Sequence, residues 1–341
     1  MTQSSLQETA RTLVGNDRGI LAADESTGTC TKRLNGVGVQ STEDTRRDYR
    51  GMLFSAAGAG DFISGVILYD ETLRQKTAAG KPFTELLLEQ NIIPGIKVDT
   101  GAKNLAGTAG EKVTEGLDGL RERLAEYHAL GARFAKWRAV IRIADGEPSH
   151  YCLDANAHAL ARYAALCQEA GIVPIVEPEV LMDGNHTLER CEQVTRWTHE
   201  RVFNALYHHR VALEGILLKP NMIISGKDCE GRASVNEVAD ATVRCLLNSV
   251  PAAVPGIVFL SGGQAEVEAS AHLNAMNARH PGLPWAMSFS YGRALQQSAL
   301  KTWAGEADKI PAAQAAFLHR ARCNSAARNG KYSEAMEGEA R

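Results

Sequence analysis

The stretch Val173-Pro174-Ile175-Val176-Glu177-Pro178-Glu179-Val180 starts as an unbroken apolar run and ends with two carboxylates two residues apart. Such a β-rich run, apolar on both alternating faces, suits a parallel strand covered on both sides. Side chains alternate across a strand, so Glu177 and Glu179 share one face. With Val176 and Pro178 turned to covering helices, both acids point into the mouth of whatever the strands enclose.

Working outward, similar runs recur at Ile20–Asp24, Phe62–Leu68, Ile93–Val98, Phe134–Ile141, Gly215–Asn221, Ile257–Ser261 and Trp285–Ser290, starting about 28 to 42 residues apart. That interval suits repeated βα units. Between them lie helical stripes: Val113, Leu117, Leu120, Leu124, Tyr127 and Leu130; Leu160, Ala164 and Cys167 after a capping Asp154 and before a stop at Gly171; and Leu188 through Leu206. Eight β units close a barrel or spread into a doubly wound sheet. No G-x-G-x-x-G follows the first strand, so a dinucleotide-binding half is disfavoured. The expected fold is α/β, a (β/α)8 TIM barrel in one domain over 1–341, with a mobile tail over 324–341.

The 341 residues carry a net charge of −3, so no global cationic field draws the chain to nucleic acid or membrane. Phosphate recognition, if present, is local. Seven dispersed cysteines with no C-x-x-C pair favour reduced thiols and a cytoplasmic location. Met1 to Thr12 is polar, without the apolar core of a signal peptide. The ten histidines show no metal-ligand spacing, so no metal is expected.

Charged residues stand where strands are expected to be apolar: Asp24, Lys97, Lys136, Arg138, Glu177, Glu179 and Lys219. A structural ion-pair network is one explanation, but burying several charges costs several kcal/mol per ion unless pairing is very good. Three lysines and one arginine face three carboxylates in that set, a surplus of cations that suits an anionic substrate. Lys219 interrupts the apolar run Leu217–Met222, and Pro220 favours an extended conformation before it. Desolvation, with Lys136 and Arg138 as possible neighbours, disfavours the ammonium and frees a lone pair for attack on a carbonyl. A solvated strand-end lysine is the plainer alternative.

Ser261-Gly262-Gly263 follows the seventh expected strand and Ser290-Tyr291-Gly292-Arg293 the eighth, the usual place for phosphate in barrels. Arg293 would add a bidentate charge. Lys32 and Arg33 follow the first strand, as a second phosphate contact or a solvated basic pair.

Seven segments, in order within a likeness that runs over about Gly15 to Tyr332, resemble the class I fructose-1,6-bisphosphate aldolases: GILAADESTG (19–28), GIKVD (95–99), FAKWR (134–138), IVEPE (175–179), LLKPNM (217–222), LSGGQ (260–264) and FSYGRAL (289–295). The resemblance implies a (β/α)8 barrel, usually a homotetramer, acting on a small-molecule sugar bisphosphate without a cofactor. Lys219 matches the Schiff-base lysine, Glu177 the principal proton-transfer acid/base with Glu179 in support, and Asp24 the aspartate that positions the C4 hydroxyl and promotes cleavage. Lys136 and Arg138 match cations that polarise and orient substrate, and Lys97 matches another lining lysine. Ser261, Gly262 and Arg293 match one phosphate pocket and Arg33 the other, Ser290 and Gly292 of the eighth-strand loop are further substrate-binding candidates, and Thr29 keeps a hydroxyl where relatives often carry serine. Animal relatives often end in a tyrosine that protonates the enamine; here the last tyrosine is Tyr332, in a different context. Other lysine-Schiff-base barrels, a pyridoxal-phosphate barrel and an inactive scaffold are the rival readings.

Overall fold

A computed structural model describes residues 3–340. Met1, Thr2 and Arg341, the extremities of the expected domain and tail, lie outside the described residues. Ten strands occur among them: β1 (Gly19–Ala23), β2 (Ile63–Leu68), β3 (Ile93–Lys97), β4 (Gly101–Asn104), β5 (Lys112–Glu115), β6 (Phe134–Ile141), β7 (Val173–Val180), β8 (Leu217–Leu218), β9 (Gly256–Phe259) and β10 (Ala286–Tyr291). Eight close a parallel barrel in the order β1-β10-β9-β8-β7-β6-β3-β2, and β4 and β5 form a separate antiparallel pair. The chain is a single-domain (β/α)8 barrel.

The barrel strands are apolar on both faces because each face is covered. Outward, Val66, Ile96, Trp137, Val176, Leu218 and Phe259 pack in one large cluster with the helices. Inward, Ile20, Ile67, Phe134, Ile175, Leu217 and Val258 fill the floor, where the helix Gln3–Leu13 adds Leu6, Ala10 and Leu13 as a plug. Glycine makes room for this filling. A Cβ on Gly95 would overlap the Phe134 ring, and one on Gly65 would stand 2.7 Å from Leu13 Cδ2. The floor is therefore a dry, close-packed base on which the polar mouth is built.

Three local expectations need correction. The sixth strand is only Leu217–Leu218, preceded by a 3-10 turn over Leu213–Gly215. Pro220 has no N–H to continue the ladder, yet the Lys219 N–H still donates to Val176 O at 2.8 Å. The stripe from Val113 does not belong to one helix: Lys112–Glu115 is β5, and the helix starts at Leu120, after Gly116 and Gly119 adopt positive φ. The helix His150–Glu169 is capped by Ser149, whose hydroxyl accepts from Cys152 N at 3.1 Å. Asp154 sits inside that helix and pairs with Arg201. The stop near Gly171 and the stripe from Leu188, a helix to His208, stand as expected. Asn324 to Arg328 complete the helix Ile310–Arg328, and beyond it Tyr332 is buried, its hydroxyl donating to Glu337 Oε1 at 2.7 Å.

Candidate functional site

All fourteen residues singled out above line one cavity of about 1250 Å³ at the C-terminal mouth of the barrel. Strand register sets the arrangement. Lys97 on β3 is level with Lys136 on β6, and Arg138 and Val140 on β6 are level with Glu177 and Glu179 on β7. Parallel pairing thus brings the charged side chains to one end of the barrel in neighbouring rows.

The centre is a chain of ion pairs. Lys136 Nζ lies 2.6 Å from Asp24 Oδ2 and 3.4 Å from Glu177 Oε2; Lys219 Nζ lies 3.3 Å from Glu177 Oε1. Lys136, Glu177 and Lys219 are buried. Burial opposes ionisation of Asp24, but the cations of Lys136, Lys219 and Lys97 overcome it and hold the carboxyl well below its ordinary value. Burial likewise opposes the Lys136 ammonium, and Asp24, Glu177 and Asp99 overcome it, holding the group charged far above the usual lysine range. Glu177 Oε2 is buried and accepts no hydrogen bond.

Around the centre, Arg138 donates to Glu179; its side chain stays partly exposed, and the desolvation it does undergo is outweighed by that carboxylate, which keeps the guanidinium charged. Of the two cations expected beside Lys219, Lys136 shares its Glu177 partner, whereas Arg138 turns to Glu179. Lys97 pairs with Asp99 at 2.9 Å. Asp99 was missed in counting charges, although the spacing Lys97-Val98-Asp99 puts both on one face. It is buried and accepts from the backbone N–H groups of Gly101 and Arg138, each at 3.2 Å. With Asp99 included, the central cations and carboxylates balance at four each. The expected surplus instead comes from the wider cavity, lined by ten Lys and Arg against seven Asp and Glu. Of these, Lys32, Arg293 and Lys301 face no carboxylate partner within ion-pair distance among the described residues.

The loops after β9 and β10 have the features of an anion cradle. Gly262 and Gly263 adopt positive φ, and a Cβ on Gly263 would come 3.3 Å from Arg293 Nη2. Ser290 is buried with a hydroxyl that has no partner. Arg33, expected at a second pocket, reaches this same region: its Nη2 lies 3.8 Å from where a Gly292 Cβ would stand. Thr29 lies in the first turn of the helix Thr27–Asn35, its hydroxyl 3.3 Å from Ser26 Oγ.

Among the described residues one trio, His319, Cys323 and Glu337, is close enough to share a metal ion, away from the cavity. Glu337 there is already paired with Arg320 and bonded by Tyr332. No helix among the described residues is long and apolar enough to cross a membrane.

The sequence model of the family described as class-I fructose-bisphosphate aldolase matches residues 5–341. The probable fructose-bisphosphate aldolase class 1 of Xylella fastidiosa (strain Temecula1) is 56% identical over 97% of this chain and 99% of its own length. The fructose-bisphosphate aldolase of Dictyostelium discoideum is 54% identical, covering 95% of this chain and 92% of that one. Among solved structures, fructose-bisphosphate aldolase from Plasmodium falciparum, crystallised with TRAP and a small-molecule inhibitor, superimposes with a TM-score of 0.95. It is 50% identical over 97% of this chain and 95% of its own.

Proposed function

Because the chain belongs to the class-I fructose-bisphosphate aldolase family, we propose that the cavity cleaves fructose 1,6-bisphosphate reversibly into dihydroxyacetone phosphate and glyceraldehyde 3-phosphate, with Lys219 as nucleophile. The observation that carries this assignment is the buried Lys219 amine 3.3 Å from a carboxylate, in a cation-rich cavity.

Each step has a group at hand. The Lys219 amine adds to the C2 ketone of the open-chain sugar, and Glu177 delivers the proton with which the carbinolamine oxygen leaves as water. The iminium so formed is the electron sink. Asp24, kept ionised by Lys136, positions the C4 hydroxyl; Glu177, left ionised by the dehydration, takes its proton, the C3–C4 pair flows into the iminium and the aldehyde departs. Protonation of the enamine at C3 and hydrolysis return Lys219 and release dihydroxyacetone phosphate. Lys136 stabilises charge between the two carboxylates, and Glu179 steadies Arg138, which with Lys97 orients the sugar. Ser261, Gly262, Ser290, Gly292 and Arg293 bind phosphate, joined by Arg33 and Thr29. Holding these groups at fixed distances in a site partly closed to water supplies most of the rate advantage.

A homotetramer in the cytoplasm suits this assignment, and the seven dispersed cysteines fit a reducing compartment. Turnover of fructose 1,6-bisphosphate, followed by coupled reduction of the triose products, tests the reaction. Release of both trioses by the native chain and not by Lys219→Met supports it; full activity in Lys219→Met overturns it.

A further inference from the structure

Arg50 lies on the helix Glu43–Phe54, has no place in the chemistry above, and is 1% exposed. Its Nε donates to Ala23 O at 3.2 Å and its Nη2 to Glu25 O at 2.8 Å. These carbonyls flank Asp24 on either side. The same Nη2 lies 3.5 Å from Glu25 Oε2, while Glu25 Oε1 receives Arg33. One buried guanidinium therefore grips the main chain around Asp24 and, through Glu25, anchors the cation that faces the phosphate loop.

From this we infer that Arg50 is a positioning residue for both Asp24 and Arg33, acting through the backbone on the first and through Glu25 on the second. A purely structural role is the weaker explanation. A buried arginine costs several kcal/mol unless well compensated, and an apolar side chain would anchor this helix more simply. The guanidinium fork matches two carbonyls and a carboxylate at once, which the single ammonium of lysine does not. The bonds hold the Asp24 carboxylate against Lys136, where displacement of about an ångström would cost on the order of a hundredfold in rate.

The inference rests on the roles proposed for Asp24 and Arg33, so those are measured alongside it. In fructose 1,6-bisphosphate cleavage, Arg50→Lys is expected to lower kcat about tenfold and to raise KM by a similar factor. Glu25→Gln, which frees Arg33 but leaves both carbonyls held, is expected to raise KM with kcat within about twofold. In an Asp24→Asn background, Arg50→Lys should lower kcat no further; in an Arg33→Ala background, Glu25→Gln should raise KM no further. Circular dichroism of each variant checks the fold, and Glu25→Gln tests the second arm if Arg50→Lys does not fold. Wild-type kcat and KM in a folded Arg50→Lys, or an undiminished effect in the Asp24→Asn background, would overturn the inference. Failure of Asp24→Asn and Arg33→Ala to impair catalysis would instead overturn the roles it rests on.

Discussion

Lys219 Nζ stands 3.3 Å from Glu177 Oε1, and the other oxygen of that carboxylate accepts no hydrogen bond although it is buried. That oxygen is held only by the Lys136 ammonium, at 3.4 Å an ion pair longer than a charged hydrogen bond. The carboxylate thus keeps a loosely paired oxygen beside the amine that attacks carbonyl carbon, where a proton must be exchanged with the carbinolamine oxygen. The same carboxylate is linked through Lys136 to Asp24, so the groups for dehydration and for C–C cleavage belong to one connected set.

The connection makes Lys136 more than a local charge. Lys136→Met would leave Asp24 without its 2.6 Å partner and Glu177 without its second cation. Removing one member of a buried pair typically costs about 3–5 kcal/mol. Steady-state kinetics and urea unfolding of Lys136→Met should both register the loss. Unchanged kcat with lowered stability would assign Lys136 to the fold alone.

Asp24 gives stability a pH dependence of definite sign. Its folded pKa is depressed below the ordinary 3.8, so its stabilisation is full above that value and is lost as pH falls through the folded pKa. The stability difference between wild type and Asp24→Asn should hold constant from neutrality to about pH 5 and shrink below about pH 4. Unfolding series at several pH values measure it. A difference that grows on acidification contradicts the assignment.

Ser290 separates binding from stability. Its buried hydroxyl has no partner in the protein, so Ser290→Ala should leave Tm unchanged or raise it slightly. If the hydroxyl donates to a substrate phosphate, KM should rise about tenfold while kcat holds. A fall in Tm with unchanged KM would point to a structural role instead.

The barrel floor sets a packing limit. A methyl on Gly95 overlaps the Phe134 ring, so Gly95→Ala should cost about 1–3 kcal/mol. Gly95→Ala combined with Phe134→Leu should recover part of that loss, as read by denaturant midpoints. Additive losses would mean that the two sites do not share space.

Much of this architecture was legible because it rests on residue pattern. β6 and β7 coincide end to end with the runs read from sequence, since strands covered on both faces show continuous apolar stretches. Lys136, Glu177 and Lys219 stood out because charges interrupt those stretches. The β4–β5 pair was hidden: it lies outside the barrel, and Val113 and Leu117 imitate a helical stripe until glycines with positive φ break it. Asp99, Glu25 and Arg50 were missed for another reason. Their importance lies in which carbonyl or ion they meet across the fold, and Arg50 sits 27 positions from the Ala23 carbonyl it holds. Arg33 was recognised, but its approach to Gly292 depends on closure of β1 against β10, which no local spacing records.

The most direct test of the central claim is covalent trapping. The protein is treated with dihydroxyacetone phosphate and borohydride, then digested and mapped by mass spectrometry. A single reduced adduct on Lys219, absent from Lys219→Met, is the result the Schiff-base assignment predicts. No adduct, or one carried by Lys136 or Lys97, would contradict it.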